Sequence, residues 1–83
     1  MFSVYILFST KLNRYYVGYT NNMQRRISEH NRKKGKYTDA GIPWVVVYSE
    51  QFQTRRAAMG REAFIKSKKP VDFIESLIKS QGR

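Results

Sequence analysis

Tyr5, Tyr16, Arg26, His30 and Glu62 are residues whose types and spacing suit one reaction, hydrolysis of a phosphodiester. That reaction needs a water to be deprotonated, the crowded negative charge at phosphorus to be stabilised, and the leaving oxygen to be helped away. An unperturbed tyrosine has a pKa of about 10 and is a poor base alone. A neighbouring cation favours its phenolate, and Arg26 and Lys66 are the candidate cations. A guanidinium also fits phosphate geometry better than an ammonium does. Arg26 and His30 stand four residues apart, on one side of a helix, and a histidine exchanges protons near neutral pH. Glu62 is the only acidic residue between Glu50 and Asp72, with Arg55, Arg56, Arg61 and Lys66 around it. Such a carboxylate suits a single Mg2+ (or Mn2+) held mostly through water and substrate phosphate.

Further residues are candidates for holding the substrate. Gly18, two residues after Tyr16, interrupts a strand pattern, and a glycine there often marks close approach by a ligand. The basic loop Arg32-Lys33-Lys34-Gly35-Lys36 is a phosphate-contacting patch, able to position a backbone without reading bases. Lys66, one turn after Glu62, is a further cation for phosphate.

Composition points the same way. Sixteen Lys and Arg face six Asp and Glu, a formal net charge of +10. A field of that sign captures polyanions, and nucleic acid is the leading partner. Aromatic residues make up 14% of the chain, which assists base stacking although most belong to the core. With no cysteine and one histidine, disulfides are excluded and a zinc cage is disfavoured. The first apolar run ends at Phe8, too short for a signal peptide or a membrane span. The expectation is a soluble cytoplasmic protein that does not enter membranes; a protein partner is not readable from the sequence.

The 83 residues are enough for one domain with a small core. Val4–Phe8 and Tyr15–Tyr19 read as two strands of a hairpin, joined by the polar loop Ser9–Arg14. Tyr16 and Gly18 then share one face, and Tyr15, Val17 and Tyr19 the other. Asn21 and Gln24 are spaced as a capping box for a helix reaching Arg32, with Met23 and Ile27 apolar. Trp44–Ser49 is a third strand whose near-continuous apolar run predicts burial on both faces. Thr54 caps a helix to about Lys68. Pro70 occupies the first turn of a last helix, in which Phe73, Ile74, Leu77 and Ile78 recur at helical spacing. Residues 79–83 are expected to fray. The order β-β-α-β-α-α predicts an α+β fold, a small three-stranded antiparallel sheet flanked by helices.

These fragments together resemble the GIY-YIG nuclease superfamily over nearly the whole chain, above all its small stand-alone bacterial members related to the nuclease module of the excision-repair complex. Ser3-Val4-Tyr5 stands at the place of the GIY triplet and Tyr16-Val17-Gly18 at that of YIG. Arg26 and His30 match the helix positions, and Glu62, in Arg61-Glu62-Ala63-Phe64, the metal-binding glutamate. The resemblance implies a one-metal endonuclease that cuts a nucleic-acid strand, with DNA favoured over RNA as substrate and repair or recombination as its setting. In it Tyr5 or Tyr16 activates water, Arg26 stabilises the phosphate, His30 handles a proton or orients a tyrosine, and Glu62 holds the metal. Two departures stand out. Ser3 replaces the first glycine, and no asparagine follows Asn31. The alternative reading is a non-catalytic nucleic-acid-binding module on the same fold.

Overall fold

The computed structural model of the protein describes residues 1–33, 35, 37–68 and 71–81; the expectations attached to Lys34, Lys36 and Pro70 fall outside the described residues. Three strands, β1 (Phe2–Ser9), β2 (Arg14–Thr20) and β3 (Trp44–Phe52), form one antiparallel sheet in the order β2-β1-β3. Helix α1 (Met23–His30) follows the hairpin, a 3-10 turn (Tyr37–Gly41) leads into β3, and α2 (Arg55–Ser67) and α3 (Val71–Gln81) complete the order. The α+β order β-β-α-β-α-α is the one read from the sequence.

Burial separates the three strands. The central strand β1 has a neighbour on each side and helices over both faces, and Val4, Ile6 and Leu7 are wholly buried. The doubly buried strand expected at Trp44–Ser49 is therefore β1 instead. β3 lies at an edge, where Val45 is 49% and Val46 36% exposed. Val45 and Val46 meet the preference of β-branched residues for a pleated surface rather than a demand of the core. The register also slips there: Ile6 faces Tyr48 while Leu7 faces Val46, leaving Val47 as an extra residue. Such a bulge breaks the alternation that a sequence pattern assumes.

The sheet has two differently built faces. Val4, Ile6 and Val17 pack with Ala58 and Ile65 of α2, and Phe73, Ile74, Leu77 and Ile78 of α3 close over them. On the opposite face Tyr5 and Leu7 pack with Trp44, Tyr16 and Met23 of α1. Each of α1 and α2 starts where a side chain satisfies a free backbone N–H. Asn22, not Asn21, caps α1 by accepting from Arg25 N at 3.0 Å, while Asn21 accepts from the Arg25 guanidinium. Thr54 caps α2 by accepting from Ala57 N at 3.1 Å. The last helix runs to Gln81, and Ser80 Oγ donates to the Leu77 carbonyl within it; residues 82 and 83 of the stretch expected to fray lie outside the described residues.

Helix α1 stops at His30 rather than Arg32 because the next residue serves another purpose. The Asn31 side chain accepts from Trp44 N at 2.6 Å and donates to Trp44 O at 3.0 Å. It thus acts as a strand partner at the start of β3 and ties α1 to the sheet. Replacing Asn31 by Ala leaves both backbone groups of Trp44 without that partner, at a cost of about 1–3 kcal/mol. The urea midpoint of Asn31→Ala is expected to fall accordingly, whereas Gln53→Ala, at an exposed position, leaves it unchanged.

Candidate active site

In the ladder between β1 and β2, Tyr5 stands opposite Gly18 and Leu7 opposite Tyr16, so the two tyrosines share a face. The Tyr5 ring leans from the central strand across the edge strand, over Gly18. A Cβ at position 18 would come 2.5 Å from Tyr5 Oη and 2.8 Å from Cζ. The missing side chain is what lets the phenol lie there.

Helix α1 lies over this face and brings two polar groups to the same oxygen. Arg26 Nε donates to Tyr5 Oη at 3.2 Å, and His30 Nε2 lies 3.3 Å from it. The Tyr16 ring meets the imidazole edge-on, with centroids 4.7 Å apart. Tyr5, Tyr16, Arg26 and His30 thus form one cluster. Arg26 is also held by Glu29, with Nη1 donating to Oε1 at 3.0 Å. Its hydrogen bond to Tyr5 is the main reason its pKa rises above the ordinary arginine value, in spite of partial burial.

The protonation of Tyr5 differs from the expectation that a cation would ease its ionisation. Burial raises its pKa above the ordinary tyrosine value. The hydrogen bond and charge of Arg26 pull the other way without prevailing, and negative charge at Tyr16 and Glu62 adds to the rise. The physical reason is exposure: the residue is 1% accessible, and a phenolate loses more solvation there than one guanidinium returns. In the resting protein Tyr5 is a phenol.

Glu62 arrives from the other face. It sits on α2, which packs against Val4, Ile6 and Val17 through Ala58 and Ile65, yet its charge acts on Tyr5. The two faces meet around the edge strand β2: Tyr16 borders the same hollow as Ile65 and Lys66 of α2. Lys66 Nζ lies 3.2 Å from Glu62 Oε2. Among the described residues there is no group of three or more His, Cys, Asp or Glu able to hold a metal. A partly buried carboxylate of this kind fits a hard divalent cation that draws its remaining oxygens from water and substrate. It does not fit a tightly held resident ion.

The basic loop is less closely tied to the cluster. Arg32 borders a separate hollow with Gln24 and Ser28 on the outer side of α1, and Lys33 is exposed; Lys34 and Lys36 lie outside the described residues. In their place the structure brings Arg25 and Arg55 beside Arg26, around a hollow of about 310 Å³ that Thr20 and Asn21 also line. Arg55 stacks over the Phe2 ring, 5.7 Å from its centroid. No spacing rule links residue 55 to residue 25; they meet only because α1 and α2 both begin near the same end of the sheet.

The family model described as the GIY-YIG catalytic domain matches residues 1–71. Among curated proteins, the chain is 43% identical to a UPF0213 protein of Streptococcus pneumoniae serotype 4 over 83% of its own length and 71% of the relative. A UPF0213 protein of Staphylococcus haemolyticus is 48% identical over 77% of this chain and 78% of that one. One of Bacillus velezensis is 41% identical over 83% and 74%. No solved structure matches.

The close approach at Gly18 generates a stability prediction with an internal control. Gly18→Ala forces the phenol off its place, and crowding of this kind costs about 1–3 kcal/mol. Adding Tyr5→Phe, which removes the oxygen at 2.5 Å, restores part of the loss in urea unfolding. A second prediction concerns pH. Because the folded protein holds the Tyr5 proton more tightly than the unfolded chain, that contribution is complete below the unfolded tyrosine pKa and is lost as pH rises through the folded one. The urea midpoint is expected to fall on going from neutral to strongly alkaline pH, and to fall less in Tyr5→Phe.

Proposed function

The chain belongs to the GIY-YIG catalytic-domain family, and from that premise we propose that it is an endonuclease hydrolysing phosphodiester bonds with Mg2+ or Mn2+. The observation that carries the reading is the convergence on one phenol oxygen of Arg26 and His30, with the Glu62 charge felt at the same group. Arg26 binds a phosphate oxygen with the N–H groups not engaged by Tyr5 and Glu29. Glu62 would hold the cation; when bound, that ion supplies Lewis-acid stabilisation of the phosphate and its leaving oxygen. Lys66, already beside Glu62, neutralises charge that the exchange of partners exposes.

The proton acceptor follows from the state of Tyr5. A phenol whose oxygen already accepts from Arg26 has its own proton available for His30 Nε2, when that nitrogen is unprotonated. We assign water activation to the Tyr5–His30 pair, with Tyr16 shaping the cleft and packing the imidazole. Gly18 makes room for the Tyr5 phenol itself, which holds the hydroxyl beside Arg26 and His30. Arg25 and Arg55, around the hollow that includes Arg26, bind a neighbouring phosphate, and Arg32, Lys33, Lys34 and Lys36 add long-range attraction. The substrate we propose is DNA, in repair or recombination, on the resemblance to the excision-repair module. No helix among the described residues is long and apolar enough to cross a membrane, and a cytoplasmic place agrees with such a substrate.

A panel of duplex, branched and single-stranded DNA and RNA, assayed with magnesium, manganese or chelator, tests the proposal. Cleavage is expected only with metal. It should fall by about 100-fold or more in Glu62→Gln and by about 100- to 1000-fold in Arg26→Ala, the range for removing a group that stabilises transition-state charge. Equal cleavage by wild type and Glu62→Gln would refute the assignment. Salt-sensitive binding with no cleavage of any substrate would leave the non-catalytic module as the correct reading.

A further inference from the structure

At the hairpin end of β2, beyond Tyr16, lies a pocket of about 440 Å³, within the size range of small-ligand sites. Tyr15, Tyr16 and Trp44 supply aromatic lining, Leu12 and Ala40 aliphatic lining, and Lys11 and Arg14 positive charge. None of this follows from the proton and phosphate chemistry above. We propose that the pocket receives one nucleobase of a single-stranded segment, next to the phosphate that is cut.

The walls are fixed before any ligand arrives. Ser9 is wholly buried and its hydroxyl accepts from Leu12 N at 3.1 Å. Asn13 takes a φ of +52° to close the loop, a conformation asparagine tolerates better than most residues. On the far side, a Cβ at Gly41 would come 2.5 Å from Trp44 Cζ2 and 3.0 Å from Leu12 Cδ1. The glycine allows the turn, the indole and the hairpin loop to meet. Asn31 holds the Trp44 backbone through both its N–H and its carbonyl. The pocket is therefore built by the fold and does not depend on a ligand to form it.

Three features choose the occupant. The aromatic lining offers stacking to any base, which is tolerant of sequence. The lysine and arginine match a phosphate on either side of that base. The pocket adjoins the candidate active site through Tyr16, which lines it and also packs on His30. A base inside a duplex is stacked and paired and cannot enter without being extruded; an unpaired one enters freely. The preferred substrate is then one with an unpaired nucleotide at the cut. The inference rests on the nuclease reading only for the place of the cut, since base binding is measured without cleavage.

Short oligothymidylate, the same oligomer with abasic sugars, and a blunt duplex, all in chelator, provide the test. Affinity is read by anisotropy of the labelled oligomer and pocket occupancy by emission of Trp44, the only tryptophan. The abasic oligomer is expected to bind about 5- to 10-fold more weakly, the lower part of the range for one base–aromatic stack, and to leave Trp44 emission unchanged where oligothymidylate alters it. Ala40→Phe, which fills the pocket, should bring oligothymidylate down to the abasic affinity while duplex binding changes by less than about twofold. Equal affinity of the two single strands for the wild type would overturn the inference, and that arm needs no variant. Base-dependent binding in chelator by a protein that cleaves no substrate with magnesium or manganese would count against the nuclease reading instead.

Discussion

The absence of a side chain at Gly18 is the constraint on which the candidate site depends. A phenol on a central strand normally ends among its neighbours, out of reach of solvent and substrate. Here the ring lies over the edge strand, its oxygen so close to Gly18 that a Cβ there would come within 2.5 Å of it. That position is the meeting point of Arg26 and His30 from α1. A single missing carbon thus couples the sheet register to the helix that covers it. The cost is the ordinary one for a glycine in a strand, which loses more conformational freedom on folding than other residues. The hydrogen bonds it permits give the buried Tyr5 oxygen its polar neighbours.

Electrostatics at that point reflect competition between burial and a cation. The chain carries ten more positive than negative charges, and that field by itself would make every phenol easier to ionise. Tyr5 goes the other way because its surroundings cannot solvate a phenolate, and because Glu62 and Tyr16 oppose a further negative charge. Arg26 meanwhile divides its donors between a neutral oxygen and the Glu29 carboxylate. The long-range field attracts a polyanion, whereas the local balance keeps the phenol protonated. The two effects act over different distances and do not conflict.

Much of this is legible in the sequence, for identifiable reasons. Runs of β-branched and aromatic residues on either side of a polar loop mark the β1–β2 hairpin, and fixed i,i+4 spacing puts Arg26 and His30 on one side of α1. Local chemistry also locates the Thr54 cap. What sequence reasoning misses needs partners distant in the chain. An apolar run cannot distinguish a central strand from an edge one, so Val45 and Val46 read as core although they are exposed. Neighbouring asparagines compete for one cap, and only backbone geometry decides for Asn22 over Asn21. The clamp of Asn31 on Trp44, thirteen residues away, leaves no trace in periodicity. The pKa of Tyr5 depends on burial, a property of the whole fold. Arg55 joins Arg25 and Arg26 through the packing of two helices on opposite faces, which sequence spacing does not encode.

The edge position of β2 lets groups from both faces border one hollow. A sheet separates its two sides, and a helix on each side would ordinarily present its residues to different solvent. At an edge strand that separation ends. Tyr16 lies on the α1 face, Ile65 and Lys66 come from α2, and all three border one hollow. The same edge exposes unpaired backbone groups, a template for pairing with another chain. Arg14, Lys66 and Lys68 stand along it, and charge of one sign disfavours a second copy of this strand. Those same charges favour a polyphosphate. One row of charge thus opposes a second copy of β2 and attracts a polyanion at the same edge.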